Sequence, residues 1–127
     1  MSTSHILQCF IIEFSIGGND FLRRLPLERT RAALIQLVKT AQGSTQVVLI
    51  AQPQPVLMAA AMGALKDHPV YADVAGETGA PLFEGGWSYV LSQAELRSDQ
   101  IHANAQGYGV FAERLADWLK SQNLVAG

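Results

Sequence analysis

Apolar positions fall along this chain in two rhythms. Short unbroken runs stand between turn residues, and longer stretches carry apolar residues three and four apart. The first run covers 10–16, where Phe10, Ile11, Ile12, Phe14 and Ile16 interrupt their series only at Glu13 and Ser15. Such β-branched and aromatic density predicts a strand buried on both faces. It ends abruptly in Gly17-Gly18-Asn19-Asp20. After a loop with Arg23 and Arg24 at its tip, Pro26 is placed to open a helix, where its missing N–H costs nothing. Leu27, Leu34, Val38 and Ala41 share a face of that helix, with Ile35 and Leu37 beside it, and Gly43 closes it. A second run, Val47-Val48-Leu49-Ile50-Ala51, predicts a second buried parallel strand over 46–52, stopped by Pro53 and Pro55.

The stretch 56–65 is rich in alanine and methionine and reads as partly helical, with Met58 and Met62 packing against the sheet. His68 leads into a helix from Pro69 to Thr78 carrying Val70, Tyr71, Val74 and Ala75, closed by Gly79. Pro81-Leu82-Phe83 predicts a short third strand. Gly85-Gly86 makes a turn, and 87–96 holds one or two helical turns. A loop over 98–104 follows, with Asn104 as N-cap of a last helix over 105–122. Tyr108, Phe111, Ala112, Leu115, Trp118 and Leu119 form its apolar stripe. The order β-α-β-α-β-α implies a parallel sheet with helices on both faces. The first strand reads as central, although only two more follow it. A bare edge of that composition would invite aggregation. Either a second chain, as in a dimer, or a complementing N-terminal segment is expected to cover it.

Composition narrows the picture. The chain has 127 residues, 49% of them apolar and 16% charged, which suits one globular domain over 1–127. A net charge of −2 without a basic block argues against nucleic acid as a partner. Cys9 is the single cysteine, so no internal disulfide forms, and His5, His68 and His102 do not stand at metal-ligand spacings. No apolar stretch reaches membrane-spanning length, so no membrane span is expected. Residues 1–9 do not read as a signal peptide, which makes a cytoplasmic location the default expectation.

Two groups of chemistry-bearing residues lie on connections that follow strands. Asn19 follows the first strand; Asp99 and His102 lie between the third strand and the last helix. In a parallel sheet such connections emerge on one edge, where ligands bind. The three residue types suit one another. A neutral imidazole accepts a proton near pH 7. A carboxylate three residues earlier holds its other N–H and sets the tautomer. An asparagine amide donates to an oxyanion. A metal site built from Asp20, Asp99 and His102 is the poorer alternative, since no second histidine or cysteine accompanies them.

With Gly17-Gly18-Asn19-Asp20 after a buried strand and Ser98-Asp99-Gln100-Ile101-His102 before the last helix, the chain resembles the SGNH hydrolases. These are also called GDSL esterases and lipases and include arylesterases and lysophospholipases. The flanks Phe21-Leu22-Arg23-Arg24 and Ala105-Gln106-Gly107-Tyr108 agree, and the similarity runs from about residue 10 to residue 120. The resemblance implies a three-layer flavodoxin-like α/β fold with strand order 2-1-3-4-5. It also implies hydrolysis of small carboxylic esters or thioesters through an acyl-serine, without metal or cofactor. His102 would be the base, Asp99 the residue that orients it, Asn19 an oxyanion-hole donor, and Gly17 the glycine that opens the same block.

The departures from that family are specific. No Gly-Asp-Ser-Leu-like block stands in these 127 residues, and neither does the family's second glycine block. The chain therefore reads as the C-terminal part of the fold, without its first two strand-helix units and without its nucleophile, and it is expected to be inactive alone. Ser15 is the nearest serine, but a strand residue beside the oxyanion asparagine is badly placed to attack. Ala103 stands where that family usually has proline, which predicts a slightly looser His102 loop. Trp87 and Tyr89 stand as core residues or as the lining of an acyl pocket. The alternative reading is a non-catalytic interaction module that pairs through the edge of the 10–16 strand.

Overall fold

The computed structural model describes residues 9–13, 27–54, 62–99 and 102–124. Within them the chain is a mixed α/β unit. Strand β1 (Cys9–Glu13) is followed by helix α1 (Leu27–Gln42), strand β2 (Gln46–Ile50), helix α2 (Val70–Thr78) and the two-residue strand β3 (Leu82–Phe83). Helix α3 (Gly86–Leu91), a 3-10 turn at Ala94–Leu96 and helix α4 (Ala105–Ser121) complete it. All pairings are parallel and run in sequence order, β1-β2-β3. Cys9 stands opposite Gln46, Glu13 opposite Ile50, and Ile50 opposite Phe83. Among the described residues, β2 is therefore the middle strand and β1 an outer one, although the sequence pattern places the first strand at the centre.

β2 earns its position by composition. Val47, Val48, Leu49 and Ile50 are all buried, each such side chain contributing about 1.5–3 kcal/mol on leaving water. Strand alternation divides them between two cores. Val47, Leu49 and Ala51 pack with Leu34 and Val38 of α1 and with Val70, Tyr71 and Val74 of α2. Ile50 packs with Phe83, Trp87, Val90, Leu91, Leu96, Ala103 and Phe111 under α3 and α4. Helices thus cover both faces of the strand. Among the described residues no helix is long and apolar enough to cross a membrane.

Several details differ from the periodicity. The buried face of α1 is Thr30, Leu34 and Val38, whereas Leu27 and Leu37 are exposed. Helical spacing fixes a direction, not a depth, and Leu27 lies on the same stripe but in the first turn. The stripe of α4 is likewise turned: Gly107, Phe111 and Leu119 are buried, Leu115 and Trp118 are half-buried, and Tyr108 and Ala112 are exposed. Met62 is exposed rather than packed on the sheet. Met58, residues 14–16 of the first run and Pro55 lie outside the described residues.

The start of α2 depends on a histidine. Pro69 precedes the helix and has no capping side chain, so His68 supplies one: its Nδ1 accepts the Val70 N–H at 3.1 Å. Gly79, at φ 75°, closes the helix in the left-handed conformation that glycine adopts without strain. Burial holds the His68 imidazole below its ordinary value, and the Asp73 charge offsets part of that. The unfolded chain therefore takes up a proton at His68 more readily than the folded one. The stabilisation is complete above about pH 6.5 and is lost as the pH falls through that value toward the lower folded pKa. The urea midpoint is expected to drop more between pH 8 and pH 5.5 in the native chain than in His68→Asn, which keeps an acceptor but does not titrate. Equal drops would remove His68 from the acid response.

Candidate functional site

The loop between the 3-10 turn and α4 is closed by its own backbone. Arg97 and Ala103 face each other in an isolated antiparallel bridge. The Ser98 N–H donates to the His102 carbonyl at 2.9 Å, the Asp99 N–H donates to the same oxygen at 3.4 Å, and the Ser98 hydroxyl adds a third bond at 3.3 Å. Asp99 and His102 are thus joined through the main chain before their side chains meet. Ala103 is buried in the cluster that holds Ile50 and Phe83, the last residues of β2 and β3, and this anchors the loop to the core. Where the family resemblance expects proline, the buried Ala103 methyl packs in this cluster.

The side-chain geometry is specific. His102 Nδ1 lies 2.9 Å from both Oδ1 and Oδ2 of Asp99. An ionised carboxylate only accepts, so Nδ1 carries the proton, and in the neutral ring Nε2 is left as the basic nitrogen. Both side chains are more than half exposed, 61% for His102 and 58% for Asp99. A pair so wet contributes only about 0–1 kcal/mol to stability. Its effect is therefore on the direction and tautomer of the ring.

The structure brings together Asp99 and His102. Asn19 and Gly17 lie outside the described residues, as do Asp20, Ser15, Arg23 and Arg24. Trp87 is core: it stacks on Phe111 at 3.8 Å between ring centroids and meets Tyr108 edge-on. Tyr89 is exposed beneath the Arg114 guanidinium, 4.0 Å above its ring. With Ser88, Ser92 and Gln93 it lines a groove of about 460 Å³.

Two polar links escape sequence reasoning. Asp67 accepts the Gly85 N–H at 2.7 Å and the Ser88 hydroxyl at 2.6 Å, tying the connection after β2 to the start of α3. No spacing marks it, since its partners lie 18 and 21 residues away. Arg97 donates from its guanidinium to the Leu91 carbonyl at 2.9 Å, fastening the loop to the end of α3. A third constraint is steric. A Cβ on Gly107 would overlap the Leu96 carbonyl oxygen and press on Val90 and Ala103. The first turn of α4 thus rests with its backbone against the 3-10 turn.

Comparison with protein families, with curated proteins and with solved structures finds no match to this chain. The chemistry of the site accordingly rests on its own geometry and on the sequence motifs. Gly107→Ala is expected to push α4 off the turn at Leu96. The cost should be about 1–3 kcal/mol, the usual range for overpacking, against a gain of about 0.5–1 kcal/mol for Gly109→Ala, an exposed position inside the helix whose Cβ meets nothing. Urea denaturation of both variants measures the difference.

Proposed function

We propose that this chain carries the acid–base part of an SGNH-type serine acyl hydrolase acting on small carboxylic esters or thioesters. The observation that carries the reading is the exposed His102 ring, held through Nδ1 by both oxygens of Asp99. That arrangement leaves Nε2 free for a proton from a nucleophile. The motif order and the parallel strands β1-β2-β3 in sequence order agree with strands three to five of a flavodoxin-like 2-1-3-4-5 sheet. The serine of the family's Gly-Asp-Ser-Leu block is not among these 127 residues. In this reading, a segment outside them supplies it.

The reaction follows from the tautomer. The serine Oγ attacks the acyl carbonyl as Nε2 takes its proton, and the imidazolium that forms is stabilised by Asp99. The Asn19 amide, in the block that Gly17 opens, donates to the oxyanion of the tetrahedral intermediate. Collapse expels the alkoxide or thiolate, which leaves with the proton from Nε2. Water then enters, gives its proton to Nε2 and attacks the acyl-serine. The second intermediate releases the carboxylic acid and returns the proton to the serine. No metal or cofactor takes part.

The test is hydrolysis of a short-chain aryl ester by two proteins: the 127-residue chain and the same chain joined behind a segment bearing the serine block. The first is expected to give no rate above its own His102→Ala and Asn19→Ala variants. In the second, Asn19→Ala should lower kcat by about 100- to 1000-fold and Asp99→Asn by roughly 10,000-fold. A folded, joined protein that hydrolyses none of the esters would sink the assignment.

One observation favours a second reading. Among the described residues β1 pairs with β2 alone, which suits an interaction module that adds a strand at β1. A tight dimer of the 127-residue chain in size-exclusion chromatography with light scattering would support it. Aggregation of the chain would favour the hydrolase reading instead.

A further inference from the structure

Asn104 caps α4 in the ordinary way, its Oδ1 accepting the Gly107 N–H at 2.9 Å. The other end of the same amide faces the opposite way. Its Nδ2 donates to the Glu95 carbonyl at 2.9 Å and to the Arg97 carbonyl at 3.4 Å. Its backbone N–H donates to the Leu96 carbonyl at 3.0 Å. One residue therefore holds three consecutive carbonyls just before the loop and the first turn of the helix just after it. Between those two anchor points stand Asp99 and His102. We propose that Asn104 is a positioning residue for the Asp99–His102 pair, closing their loop through its amide nitrogen while its amide oxygen caps the helix.

The residue type follows from the two tasks. Serine, threonine, aspartate and asparagine all cap helices. Of these only asparagine carries an acceptor and two donors on a planar group. Aspartate keeps the acceptor for Gly107 and adds a charge that suits a helix N-terminus, but it turns a second acceptor toward the Glu95 and Arg97 carbonyls. Asn104→Asp thus keeps the cap and breaks the clamp. Serine keeps a cap oxygen on a shorter arm and loses the double donation to residues 95 and 97.

The inference rests on the hydrolase reading for its catalytic meaning, but its first measurement needs no substrate. The probe is the imidazole 15N spectrum of the 127-residue chain above pH 8, with His102 assigned by its loss in His102→Gln. In the native chain the Nδ1–H tautomer is expected to be the major form, and Asp99→Ala should make it the minor one. Asn104→Asp and Asn104→Ser should shift it the same way, while the urea midpoint of Asn104→Asp stays at or above that of Asn104→Ser. In the joined, serine-bearing protein Asn104→Asp should lower kcat tenfold or more with little change in KM.

Native tautomer populations in both Asn104 variants would overturn the positioning role. If Asn104→Asp does not fold, Asn104→Ser alone decides. A tautomer that shifts as expected in a joined protein without esterase activity would uphold the clamp and sink only the hydrolase reading.

Discussion

The burial of β2 on both faces is the constraint from which the rest of the described structure follows. A strand whose side chains alternate direction builds two cores only if apolar residues fill successive positions, and 47–51 supply them. One core draws α1 and α2 to one face, and the other draws α3 and α4 to the opposite face. The parallel pairing with β1 and β3 makes every connection cross over, and this carries long stretches of chain between strand ends. The polar loop lies after β3, between the 3-10 turn and α4.

The two ends of that loop are held by contacts that have little to do with hydrophobic burial. Ala103 is its anchor in the core, and the remaining constraints are polar: the His102 carbonyl with its three donors, the Arg97 guanidinium on Leu91, and the Asn104 amide. Each bond contributes about 0.5–1.5 kcal/mol net, so no single one holds the loop. Together they join residues 97–99 to residues 102–104. The exposed Asp99–His102 hydrogen bond then sets the tautomer of the neutral ring at small energetic gain.

Close backbone approach links the two parts. Gly107 brings α4 against the carbonyl of Leu96, so the helix that caps the second core also fixes the end of the loop. The Asp67 carboxylate separately ties the connection after β2 to the start of α3.

The sequence by itself determined the elements and the pair. Unbroken apolar runs marked β2 and β3, Gly43 and Gly79 marked helix ends, and Asn104 marked the start of α4, because these signals act within a few residues. Asp99 and His102 were legible for the same reason, being three apart in a turn between recognisable elements. Tertiary structure decided what spacing cannot encode. It set Thr30 rather than Leu27 in the core, exposed Met62 and Tyr108, and placed Trp87 in a stack with Phe111. Depth of burial depends on where a neighbouring element ends, and periodicity carries no such information. The Asp67 link to Gly85 and Ser88 and the contact at Gly107 arise only when distant segments meet. The second use of Asn104 was hidden too, because a cap is written in local sequence, whereas the carbonyls its nitrogen holds are brought to it by the folded loop.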